Sequence, residues 1–563
     1  MARESALPLS RRHLFKTLAA LGVGGAVFQR AVVAQAPKDG AITAEMIQQA
    51  EWVSGIKLSD EDRKGLVGRI NTSLRQFARL RQVPLPNDVP PAFAFVPSAV
   101  PAPQEPTVFA SSYSPAAPKK PENGDDLAFL PLASLAALVR KRDVSSVELT
   151  KLYLERLKKY DPALRCVVTL TEELALKQAE AADREIAAGR YRGPLHGIPW
   201  GAKDLIAYPG YKTTWGAAPF KEQMLETKAT VARKLEEAGA VLVAKLTLGA
   251  LAMGDQWFGG MTRNPWNVKQ GSSGSSAGPA SAVVAGLVGF AIGSETLGSI
   301  VSPCTRCGAS GLRPTFGRIA RTGCMTLSWT MDKLGPIARS IEDCALVFGA
   351  IHGSDGLDAA AVDRPYRWPM NRDLRSLRVG YVEGKKDVAD RKELQVLKGL
   401  GVKLVPIAMP DKYPADALGC ILTAEAAAAF DDLTRQGVTE GIGAWAGTFR
   451  SGEFIPAVEY LRAQRVRTLL MREMEAVFEK VDLYVGGNDL VITNHTGHPT
   501  AVLPNGFVKA GDAEVPTAIT FTGRLYGETE LLAVAHAYQQ ATGHHLKRPP
   551  MEKVTAENAD KKG

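Results

Sequence analysis

From residue 126 onward, short apolar runs alternate with amphipathic stretches. Residues 132–139 read as a short helix. Ser145 and Glu148 make a capping box, and Leu149, Tyr153, Leu157 and Tyr160 follow as an apolar stripe at helical spacing. A strand is expected at 166–170, a charged helix at 171–188 and a turn at 189–193. The apolar run 198–202 ends in Lys203. A helix at 227–238 and an apolar strand at 241–248 come next. This alternation predicts an α/β fold with a large sheet covered by helices on both faces. Further on, 377–382, 402–407 and 516–521 read as strands, and 424–430, 458–478 and 527–541 as helices.

Ahead of this body the pattern changes. Residues 40–82 are amphipathic, with acidic Asp60, Glu61 and Asp62 behind Ser59 at one helix start and Leu66, Ile70, Leu74 and Phe77 as its stripe. Residues 84–121 are Pro-rich and aperiodic, as in an extended strap. The first 36 residues place Arg11 and Arg12 before a mildly apolar run, 17–28, with Ala34 and Ala36 beyond it. That run is too short to span a bilayer and fits a signal-peptide core. It resembles a twin-arginine export signal, and implies a periplasmic protein without stable membrane insertion.

The chain has 563 residues and a formal charge of +9. Residues 1–36 carry +4 and the last 21 carry +2, leaving +3 in the body. No RNA-binding motif accompanies that charge, so no nucleic-acid partner is expected. Six cysteines in a chain of this length make no disulfide framework. Cys304 and Cys307 stand as C-x-x-C without a second pair. They are read as packed thiols or a local disulfide, and no metal site is expected.

The chemistry concentrates in 271–314, a run of small residues with an apolar middle at 282–292. Two nucleophile schemes fit it. GSSAG at 274–278 matches G-x-S-x-G with Ser276 as nucleophile, but a turn-like segment, not a strand, precedes it. The other scheme pairs the serine clusters at 275–276 and 299 with a lysine. No His lies between His196 and His352 to serve as base. A lysine at its reference pKa of about 10.4 is neutral in only roughly one molecule in two thousand at pH 7, and burial raises that fraction. Lys203, at the end of an apolar strand, is the candidate. A serine hydroxyl both donates and accepts, so it can link a lysine to a distant nucleophile.

Several segments stand in an order that resembles the amidase signature family: PLHGIPWGAKD at 194–204, TRNPW at 262–266, GSETLGSI at 293–300, GLRPTFGR at 311–318, DKLGP at 332–336, GHP at 497–499 and LPNGF at 503–507. The resemblance covers about 126–547. It implies the amidase signature fold, with a large mixed central sheet and here an N-terminal helical extension. It also implies a Ser–Ser–Lys triad with the bridging serine in a cis peptide: Ser299 as nucleophile, Ser275 as bridge, Lys203 as base. The family's spacing of 24 positions between the serines selects 275 over the decoy pair Ser272 and Ser273. Backbone N–H groups of Thr296, Leu297, Gly298 and Ser299 would form the oxyanion hole, with Met253 and Ser276 in the substrate-binding set. Met253, Asp255, Trp257 and Phe258 are expected along the pocket, with Trp200 and Trp215 as further candidates. Leu297 and Val301 replace a Gly and an Arg usual in the family, which leaves Glu295 to find another partner.

The expected organisation is a signal at 1–36, a helical extension at 37–83, a strap at 84–125, a catalytic domain at 126–547 and a polar tail at 548–563. The expected activity is hydrolysis of a carboxylic amide C–N bond through a serine acyl-enzyme, on a small-molecule substrate and without cofactor. The competing readings are a glutamine-hydrolysing A subunit of a tRNA-dependent amidotransferase, a carbamate or ester hydrolase, and a non-catalytic relative.

Overall fold

The computed structural model describes residues 41–85, 108–109, 118–383, 391–487 and 489–555. The expected export signal and most of the strap lie outside these residues. The chain divides into two compact units.

The larger unit carries an 11-stranded mixed sheet. Its strands are β1 (Val167–Leu170), β2 (Pro199–Lys203), β3 (Val241–Leu246), β4 (Phe290–Glu295), β5 (Ser310–Arg313), β6 (Lys333–Ala338), β7 (Arg378–Val382), β8 (Lys403–Ile407), β9 (Leu483–Val485), β10 (Thr500–Ala510) and β11 (Ala513–Gly523). The spatial order is β8-β7-β9-β11-β10-β5-β6-β4-β2-β3-β1. β2 pairs in parallel with both β3 and β4, while β4–β6, β6–β5 and β5–β10 are antiparallel. β2, β3, β5 and β6 are buried at every residue. Such strands need helices over both faces and lack a polar alternation. β6 is one the apolar pattern does not announce, because Lys333, Gly335 and Pro336 interrupt it.

The expected elements appear with shifted ends. The helix Ser146–Leu164 starts at the Ser145 cap, whose hydroxyl accepts the Glu148 N–H at 2.9 Å. The Glu148 carboxylate does not close the box; it takes Lys120 at 2.7 Å. The strand expected at 516–521 is β11, hairpin partner of β10. Between the serine clusters, the helix Ala277–Val284 is buried along its whole length. It packs with Val241, Val243, Ile300, Val301 and Val502 in the core that flanks the sheet. Cys304 and Cys307 are buried free thiols. Trp200 is core as well, stacked on Phe290.

The smaller unit combines the N-terminal helices with residues 416–438 and 446–466. Its helices Ala44–Ser54 and Asp60–Arg81 are capped by Thr43 and Ser59. They bury Met46, Ile47 and Leu66, with Phe454 packed against that cluster. Arg79 pairs with Asp416 and Arg81 with Glu459 at 2.5 and 2.7 Å.

Candidate active site

Lys203 is the last residue of β2, flanked by β3 and β4, and has no solvent exposure. Gly201 makes the close strand packing possible, since a Cβ there would run into the Leu246 side chain. The Lys203 Nζ lies 2.8 Å from Ser275 Oγ, 3.1 Å from Ser276 Oγ, 2.9 Å from Ser294 Oγ and 3.3 Å from the Ser294 carbonyl. Among the described residues no carboxylate pairs with it. Burial pushes its pKa down to about 7, while the more distant charges of Asp332 and Glu295 act in the opposite direction. The neighbouring strand shows the contrast. Lys245 is equally buried, but Asp204 sits 2.7 Å from its ammonium. The carboxylate next to Lys203 in sequence is thus committed to the other lysine.

The serines reach Lys203 from the turn before the helix Ala277–Val284. The Gly274–Ser275 peptide is cis. Gly274 is tightly held: a Cβ there would collide with the Gly254 carbonyl oxygen. Ser273, with φ of 61°, donates its N–H to Asp255 at 2.9 Å. Ser276 is fully buried. Its hydroxyl accepts from Lys203 and from Ser294 N–H and donates to the Ser294 carbonyl, the last two at 3.1 Å. The structure thus places Ser276 behind Ser275, between Lys203 and β4. The hydroxyl of Ser275 has Lys203 as its one hydrogen-bond partner among the described residues.

Ser299 stands in the loop between β4 and the helix Val301–Cys307, 9% exposed. Its carbonyl accepts the Ser276 N–H at 3.0 Å, which ties the two serine segments together. Its hydroxyl has no protein hydrogen bond among the described residues. The loop divides its amides into two groups. Ile300 and Val301 donate to Glu295 Oε2 at 2.8 and 3.0 Å. Leu297, Gly298 and Ser299 donate to no protein acceptor among the described residues. Gly298 holds φ of 85°, a conformation that favours glycine, and a Cβ there would press on Ser302 Oγ at 3.0 Å. Three adjacent unspent backbone donors beside a serine hydroxyl suit a developing oxyanion.

Glu295 anchors the loop. Arg313 pairs with its Oε1 at 2.8 Å, both side chains fully buried, and Asn494 Nδ2 donates to the same oxygen at 2.8 Å. Burial alone would raise this carboxyl; Arg313, then Lys333 and the hydrogen bonds, bring it down to about 2. Arg313 is in turn held by the His498 carbonyl and Thr500 Oγ1. The charge absent at Val301 therefore arrives from β5. Thr296 donates to Asp332 at 2.6 Å, and Asp332 also accepts the N–H groups of Leu327 and Ser328. Met253 is 36% exposed, on a turn where Leu251 and Ala252 take φ of 47° and 62°. Sequence reasoning did not single out Ser294, Arg313 or Asp332 as parts of the site.

A profile of the amidase family matches residues 148–486. The chain is 33% identical over 472 residues to the glutamyl-tRNA(Gln) amidotransferase A subunit of Geobacter metallireducens, covering 73% of this chain and 96% of that protein. Its counterpart in Methylococcus capsulatus is 33% identical over 480 residues, with 74% and 98% covered. The native peptide amidase of Stenotrophomonas maltophilia aligns with a TM-score of 0.66 and 28% identity, over 75% of this chain and 98% of that one. A bacterial aryl acylamidase aligns at a TM-score of 0.66 and 21% identity, over 77% and 99%, a likeness of fold alone. These matches define the class as hydrolases of amide C–N bonds. The chain belongs to the amidase signature family.

Proposed function

We propose that this protein hydrolyses a small-molecule carboxylic amide through an acyl-enzyme on Ser299. The observation that carries the reading is the buried Lys203, with its pKa near 7, at 2.8 Å from Ser275. Neutral Lys203 takes the Ser275 proton as Ser275 takes that of Ser299. Ser299 Oγ then attacks the carbonyl carbon. The N–H groups of Leu297, Gly298 and Ser299 receive the oxyanion, and each such donor is worth about 3–4 kcal/mol in the transition state. The relay returns a proton to the leaving amine, and water releases the acid. Met253 borders the substrate, and Thr296 holds the loop through Asp332. The Ser299→Ala variant is expected to lose hydrolysis and fluorophosphonate labelling. Retention of labelling, with the adduct on Ser276, would refute the assignment.

The amidotransferase-like reading is favoured by the identity with the A subunits of that enzyme. Copurification with partner proteins, together with glutamine hydrolysis, would establish it. The twin arginines at 11 and 12 support export to the periplasm, which recovery of the mature chain from a periplasmic fraction would test. Among the described residues no helix is long and apolar enough to cross a membrane.

A further inference from the structure

Large apolar side chains left in water are unusual enough to mark a binding surface when they gather around a reactive group. Leu297, Met253 and Trp329 are 39%, 36% and 49% exposed. They come from three separate segments, and each segment is tied to the serine centre. Leu297 lies two residues before Ser299. Met253 precedes Gly254, whose carbonyl packs on Gly274 beside Ser275. Trp329 stands on the 327–332 loop, whose Asp332 accepts the Thr296 hydroxyl at 2.6 Å. Arg321 fixes the same loop by donating to the Trp329 carbonyl at 2.8 Å. Ala252, Thr296, Leu327 and Asp332 line one cavity, so the three segments meet there.

The charged residues of that cavity are already engaged. Arg321 pairs with Asp358 at 2.8 and 2.9 Å. Asp332 takes three donors. Lys333 donates to the Met331 and Thr296 carbonyls. Free glutamine would bring an ammonium and a carboxylate to a wall whose charged groups already spend their hydrogen bonds within the protein.

Resting on the amidase reading above, we infer that Leu297, Met253 and Trp329 select uncharged amides with a bulky apolar group, aryl or alkyl, next to the scissile bond. Contacts of this kind discriminate by roughly ten- to two-hundredfold for each small apolar increment.

The test measures kcat/KM of the full chain on acetamide, hexanamide and benzamide, on acetanilide for the amine side, and on L-glutamine. At least one apolar amide is expected to exceed both acetamide and glutamine by tenfold or more. Trp329→Ala and Leu297→Ala are each expected to lower that preference ratio by about tenfold. Their unfolding midpoints and their labelling by a fluorophosphonate verify that the site is intact. Glutamine hydrolysed faster than every apolar amide would overturn the inference, as would an unchanged ratio in both variants. If no amide is turned over above the Ser299→Ala background, the amidase reading itself fails, and the two failures remain distinguishable.

Discussion

Under the mechanism proposed above, with Lys203 as base, the burial of Lys203 makes the rate of hydrolysis a function of pH. The base must be neutral to take a proton. With its pKa brought from 10.5 to about 7, about half of the molecules at pH 7 carry the neutral amine. An unshifted lysine would supply roughly a thousandfold less. That lowering corresponds to roughly 5 kcal/mol against the ammonium in this site. Initial rates on an uncharged anilide, measured from pH 5 to 10 at constant ionic strength, test this. Below the inflection kcat/KM should rise tenfold per pH unit, then level off near pH 7 to 8. Asp332→Asn removes a negative charge that favours the ammonium, so its inflection should move to lower pH. Stability supplies an arm free of turnover. Between pH 7 and 10.5 the unfolded chain holds a proton at this lysine and the folded chain does not. Folding stability gained from this site therefore rises with pH across that window and is constant below it. Relative to Lys203→Met, the wild type should gain about 1.4 kcal/mol per pH unit between 8 and 10. A flat rate profile from pH 5.5 to 9, or a rise still tenfold per unit beyond pH 9, would refute the reasoning.

Two further substitutions probe the frame around the serines. Glu295→Gln leaves Arg313 buried without its countercharge, which costs about 3–5 kcal/mol; a lower unfolding midpoint at neutral pH, with most of the difference gone by about pH 2 as Glu295 protonates in the wild type, checks it. Gly274→Ala places a Cβ against the Gly254 carbonyl. Loss of both soluble expression and Ser299 labelling is expected, and a folded variant with wild-type turnover would contradict the packing argument.

The parts legible in the sequence were those written locally. The apolar run ending in Lys203 announced a buried lysine at a strand end. The caps at Ser59 and Ser145 announced helix starts. The family resemblance, through its 24-residue spacing, pointed to Ser275, which lies 2.8 Å from Lys203. What stayed hidden depended on distant segments meeting. Ser294 sits among small residues on β4, and nothing near it in sequence signals a lysine 91 positions away. Asp332 acquires its role through Thr296, 36 residues earlier. Glu295 gains Arg313 and Asn494 only because β5, β4 and the helix Leu490–Thr496 converge. The grouping of 416–438 and 446–466 with the N-terminal helices follows from interhelical packing, which periodicity alone does not reveal.

The anchoring of Glu295 also sets an order of assembly. Residues 203, 275 and 299 leave the ribosome well before Asn494, His498 and Thr500. Until those last groups arrive, Arg313 lacks its carbonyl and hydroxyl partners, and Glu295 lacks its amide donor. The loop that presents Ser299 thus gains its full anchoring only after residues 494–500 have been made. A nascent or truncated product ending before residue 494 would contain Lys203, Ser275 and Ser299 and still lack the groups that hold Arg313 and Glu295 in place.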